Sequence, residues 1–225
     1  MIKKIIYLGS LTALLCFCLT QYLGYNYFSR YKKLRDMPES PDRSFLSLER
    51  SLTRAIRFSK NPVFYYELGQ LYLQWAYKEN DLGLAGNRDQ NLDKAIAAFC
   101  RGIGQNPIDA YAFNALGYAY QLYNYPLFTY MEKGRLFMKQ ALDLRPKDEF
   151  LTSNIMYVYL RQWNFLGEIE KKFVFNQLKR EWKDPPYVFW PLRQRWIKDL
   201  GSLVEIRQIL IQDPEFWSRY GRFFE

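Results

Sequence analysis

Two stretches of the chain match without a gap when one is slid 39 residues along the other. The segment AIAAFCRGIGQNP at 95–107 places Ala95, Phe99, Gly102 and Pro107 where GRLFMKQALDLRP at 134–146 places Gly134, Met138, Ala141 and Pro146. Intervals of four and three residues lie on one face of an α-helix. A small, a large and a second small residue on that face suit close packing on a neighbour, and the proline ends the helix. One such helix cannot bury its apolar face alone, so a chain that repeats it builds a core by stacking copies. The repeat therefore predicts an all-α fold.

The preceding helices match each other as well. YYELGQLY at 65–72 and FNALGYAY at 113–120 each carry an aromatic residue, then Leu-Gly, then Tyr at the same spacing. Gly69 and Gly117 fall in helix interiors, where glycine costs about 1 kcal/mol relative to alanine. Together the two helices resemble the unit of the tetratricopeptide repeat family, a helical hairpin with an aromatic, Leu-Gly and Tyr in its first helix and Ala, a large apolar residue, Ala and Pro in its second. The resemblance implies a short right-handed helical-hairpin solenoid in which the two glycines sit where paired helices approach most closely.

It extends over about residues 45–165. Asn154, Ile155 and Tyr159 resemble the first helix of a third unit, with Met156 in place of the glycine, and Leu48, Leu52 and Ala55 before Asn61-Pro62 resemble an isolated second helix. Family units run to about 34 residues, whereas Gly69 and Gly117 are 48 apart. The surplus, ENDLGLAGNRDQN at 79–91, reads as a loop inserted between the helices of one unit, and YNYPLF at 123–128 as a shorter extension at the equivalent turn.

The N-terminus has a different character. From Ile5 to Phe28 there are 24 residues without a charge, long enough as a helix to cross a hydrocarbon core of about 30 Å. Tyr22, Tyr25 and Tyr27 cluster at its far end, as in an interfacial aromatic belt. The net charge of +9 is concentrated around this run: residues 1–35 hold six cations and no acid, and the rest of the chain 26 cations against 23 acids. The expected order is a basic N-terminus at 1–4, a transmembrane signal-anchor at 5–28, a juxtamembrane linker at 29–44, the repeats at 45–165 and a helical cap at 166–225. Cations flank both ends of the apolar run and nearly balance under the positive-inside rule. The short MIKK start resembles that of bacterial signal-anchors, which places the C-terminal domain outside the cytoplasm of a bacterial inner membrane.

Residues 171–198 hold eight cations and two acids, interleaved with Trp182, Tyr187, Trp190 and Trp196. Such a stretch can grip a nucleic-acid strand or an anionic headgroup layer. It can equally close the open end of a helical array while Lys and Arg side chains reach into water, and this second reading is preferred, with no nucleic-acid partner expected.

The chain has no histidine and three cysteines, Cys16 and Cys18 in the apolar run and Cys100 alone. The usual general base and the commonest metal ligand are thus missing, and no enzyme, cofactor or metal site is expected. In the family's architecture first helices line a concave face. The positions there that do not serve packing are Tyr66, Gln70 and Gln74, then Tyr111, Asn114, Tyr118 and Gln121, then Ser153, Tyr157 and Arg161. Tyrosines beside amide side chains suit recognition of a peptide, with rigid aromatic contact and hydrogen bonding side by side. The expected function is a membrane-anchored scaffold for a protein or peptide partner, in a cell-envelope assembly.

Overall fold

The computed structural model describes residues 2–37, 44–123, 128–180 and 188–225, and among them it is helical with no strand. The all-α class is as expected. The helices are α1 (Ile2–Asp36), α2 (Phe45–Phe58), α3 (Pro62–Asp81), α4 (Ala85–Gln105), α5 (Ala110–Leu122), α6 (Phe128–Leu144), α7 (Glu149–Arg161), α8 (Glu168–Leu178), α9 (Phe189–Leu200), α10 (Val204–Leu210) and α11 (Pro214–Tyr220). The chain divides into two compact units, Met1–Gly134 and Arg135–Glu225, with the division inside α6.

Polar side chains start α2, α3, α5, α7 and α11. Ser44, Asn61, Asp109, Asp148 and Asp213 each accept a hydrogen bond from a backbone N–H of the first turn they precede. Pro62 and Pro214 follow their caps, where the missing N–H would have been unpaired in any case. At the other ends, Pro107 and Pro146 lie just beyond the ends of α4 and α6.

In the first unit α3 and α4 run antiparallel over their whole length: Gly102 packs beside Tyr65, Gly69 against Phe99, and Glu79 against Asn91. A Cβ at Gly69 would lie 2.5 Å from the Phe99 ring, and one at Gly134 2.7 Å from the Gly117 carbonyl oxygen. The mid-helix glycines are where helices nearly touch, which explains a choice that propensity alone disfavours. Ala95 and Phe99 are fully buried.

Residues 79–91 correct the expected loop. Helix α3 continues to Asp81 and α4 begins at Ala85, so the surplus lengthens both helices and leaves a three-residue turn with Gly83 at φ 73°. The Asn91 amide donates to the Glu79 carboxylate at 2.9 Å within this extension. Residues 124–127 of the second expected extension lie outside the described residues.

Helix α2 is not isolated, and residues 29–36 are not a linker. Helix α1 runs unbroken to Asp36, and its second half lies antiparallel to α2 and touches α3 through side chains such as Phe28 on Phe64. Phe28 and Tyr31 are buried with Leu48, Leu52, Ala55, Phe64 and Leu71 in one cluster. The Tyr31 hydroxyl donates to Glu67, and the Arg35 guanidinium pairs with the same carboxylate at 3.2 Å. Burial, followed by the charge of Glu67, holds the Tyr31 phenol well above the usual tyrosine range. Leu23-Gly24-x-x-Tyr27 repeats the Leu-Gly-x-x-Tyr pattern of α3 and α5. A Cβ on Gly24 would sit 2.7 Å from the Ser59 Cβ.

Residues 9–19 are all exposed, Leu15 at 61% and Phe17 at 60%. Among the described residues no helix is long and apolar enough to cross a membrane, and the side chains of residues 5, 6 and 8 of the expected span lie outside that set.

The second unit is centred on α7, which packs on α8 and α9. Met138 and Ala141 are fully buried. Arg135, also buried, donates to Glu170 at 2.8 Å and to Gln162 at 2.9 Å, while its own carbonyl accepts from Tyr159 at 3.1 Å. Phe189 stands among the rings of Phe216, Tyr220, Phe223 and Phe224.

Candidate interaction surface

Helix α5 is buried almost all round. Ala110, Ala112, Phe113, Ala115, Leu116, Gly117, Ala119 and Tyr120 are buried, and what is left partly exposed is Tyr111, Asn114, Tyr118 and the last turn, Gln121 and Leu122. Spacings of three and four residues make these a single stripe along the helix. The small residues on its other faces allow neighbours to approach from both sides, so the sequence itself selects which stripe remains open.

Helix α3 contributes the parallel row. Tyr66 and Gln70 are half-buried, and Gln74 and Tyr77 are exposed. The rows meet where Tyr77 and Tyr118 lie 6.3 Å apart between ring centroids. Tyr66 leans on Phe99, 6.0 Å between centroids, and burial raises its phenol above the usual range, a shift that the Gln70 amide partly offsets. The Tyr66 ring is thus braced from behind, with a neutral hydroxyl at physiological pH.

Asn114 is the distinctive polar group of this surface. Its Oδ1 is buried and has no hydrogen-bond partner among the described residues, and it is the one such side-chain atom in the first unit. A buried acceptor left unpaired costs about 1–3 kcal/mol. An N–H donor delivered to that atom recovers the loss.

Other expected members of the surface are occupied. Gln121 donates its amide to the Met131 carbonyl at 2.7 Å and so ties α5 to α6. In the second unit Ser153 and Tyr157 are buried, Tyr157 at 7% exposure. Helix α9 covers this face: the Tyr157 hydroxyl donates to Asp199, its ring meets Trp196 edge-on, and the Arg195 guanidinium lies 4.2 Å over it. Burial, reinforced by the Asp199 bond, pushes the Tyr157 phenol up to about 12. Arg161 is exposed and lines a pocket with Asn164, Glu205 and Gln208. Sequence reasoning placed these residues on the right helix but could not see that a later helix lies over it.

The basic and aromatic stretch at 171–198 is largely engaged within its own unit. Lys171 lies over the Trp163 ring, Lys179 bridges Asp213 and Glu215, Arg180 donates to the Pro146 carbonyl, and Arg195 donates to Asn154. Trp196 is fully buried, Trp190 is exposed, and Trp182 and Tyr187 lie outside the described residues. No group of three or more Cys, Asp or Glu side chains able to hold a metal ion occurs among the described residues. No protein-family model matches the chain, and no similar curated protein is found.

Proposed function

We propose that the protein is a membrane-anchored interaction module of the tetratricopeptide kind, which holds a protein or peptide partner on the α3–α5 surface. The observation that carries this reading is Asn114: a buried carboxamide oxygen without a partner among the described residues, set between tyrosines on the open stripe of α5. The backbone N–H of a bound peptide is a donor of suitable chemistry, and the flanking rings give contact area at low entropic cost. The repeated Leu-Gly-x-x-Tyr helices support the family likeness. The bare apolar half of α1 supports the anchor: residues 2–20 as a helix extend about 28 Å, close to the thickness of a hydrocarbon core. This shortens the span from 5–28, since from Gln21 onward the helix meets the domain.

A photo-reactive residue at Tyr118 in the full-length chain, irradiated in the native cell, tests the reading. A protein adduct that disappears in Asn114→Ala, while circular dichroism and the unfolding midpoint stay as in the parent, is the expected result. Equal crosslinking from Tyr118 in both chains, or from Leu82 as strongly as from Tyr118, is incompatible with recognition through this surface.

A further inference from the structure

The anchor helix also determines which end of the first unit faces the bilayer. Helix α1 leaves the domain at one level: the Ser59 hydroxyl donates to Gln21 Oε1 at 2.6 Å, the Asn61 amide donates to the Tyr25 hydroxyl at 2.9 Å, and Gly24 lets the backbones approach. Because the helix is continuous through this point, the turn joining α2 to α3 sits where the projecting half begins. The end of α4 reaches the same level, with Gly102 against Tyr65 and the Pro62 carbonyl.

This end of the unit is basic. Arg54, Arg57, Lys60 and Arg101 are exposed, and none has an ion pair among the described residues. The Arg54 guanidinium lies 5.7 Å over the Tyr27 ring, which keeps it beside α1. The acid at this end, Asp109, is engaged in capping α5 through Tyr111 and Ala112 N–H. Val63 and Ile108 are exposed here at 49% and 72%, and Tyr22 and Tyr25 of α1 are exposed as well. Cations interspersed with apolar and tyrosine side chains match the interfacial layer, where phosphate groups overlie the first methylenes.

We propose that this end of the first unit, through Arg57, Lys60 and Arg101, is a binding surface for anionic phospholipid headgroups. It seats the module upright on the membrane. The inference rests on the anchor reading above. It differs from a simple tether in that the α3–α5 surface stands at a defined orientation, with Leu82 at the far end of α3, about 30 Å from the headgroups by the rise of a 20-residue helix.

The test uses the full chain in nanodiscs of phosphatidylcholine with or without phosphatidylglycerol, carrying one environment-sensitive fluorophore at position 14, 60 or 82. Lipids with a quencher on the acyl chain or on the headgroup report its depth. The expected pattern is acyl-chain quenching at 14, headgroup quenching at 60 that requires phosphatidylglycerol and fades with added salt, and none at 82. With the probe at 60, Arg57→Glu and Arg101→Glu should each weaken the headgroup contact by about five-fold or more, given the pull of an anionic surface on one cation. Quenching at 14 with 60 and 82 equally unquenched would overturn the surface and leave the anchor intact. An unquenched probe at 14 would overturn the anchor and the surface together.

Discussion

Gly69 and Gly134 occupy similar crowded positions but differ in what they crowd. A methyl at Gly69 meets a phenyl ring, whereas one at Gly134 meets the Gly117 backbone carbonyl. A ring can tilt; a backbone cannot move without parting two helices. Both alanine variants should lose stability, on the order of 1–3 kcal/mol for overpacking, with Gly134→Ala and Gly117→Leu worse than Gly69→Ala in urea unfolding. An unchanged midpoint in Gly134→Ala would remove the close-approach account. Tyr157 gives a second test at this scale. An unfolded tyrosine ionises near pH 10, while burial and Asp199 hold this one protonated up to about 12. The folded state therefore binds the proton more tightly, and the stability this contributes is complete below pH 10 and lost as pH rises towards 12. Tyr157→Phe should flatten the fall in unfolding free energy over that window.

Among the elements, α1 combines two environments in one unbroken helix. Its first half is exposed throughout 9–19 and mostly apolar there, and its second half buries a stripe at Gly24, Phe28 and Tyr31. Phe28→Ala should cost about 3–5 kcal/mol, as for other buried aromatic truncations, and Leu15→Ala close to nothing, both read from denaturant unfolding in detergent. Equal effects would mean the two halves are not distinct. The docked half was written in the sequence as Leu23-Gly24-x-x-Tyr27, the same signature as in α3 and α5, but it sits inside an uncharged run whose length alone reads as a membrane span. Hydropathy is counted over a window and cannot tell a residue facing lipid from one facing a protein core.

For the whole molecule, the consequence is that the projecting half of α1 should be separable from the rest of the first unit at residue 20. A chain lacking residues 2–20 should keep the unfolding midpoint of the parent, because residues 9–19 are all exposed. Removing residues 2–36 should lower it sharply, since Phe28 and Tyr31 leave the core of the first unit. Circular dichroism melts of the two truncations decide this, and an equally destabilised shorter deletion would place part of the fold's support in the projecting half.

By itself the sequence determined the helical class, the close-packed face of α4 and α6, the caps and the breaks between helices. These depend on contacts within a few residues or on a periodicity that a pattern preserves. Whether 79–91 lengthens helices or loops out depended on partners: Glu79 and Asn91 are polar residues that look like loop until each meets the other across α3 and α4. Which tyrosines stay open was likewise a tertiary decision. Tyr118 and Tyr157 occupy matching positions in their helices, but α9 arrives from more than thirty residues later to cover Tyr157 with Trp196 and Arg195. Exposure is a property of what a residue's neighbours leave uncovered, and for Tyr157 those neighbours are brought in by the path of the chain as a whole.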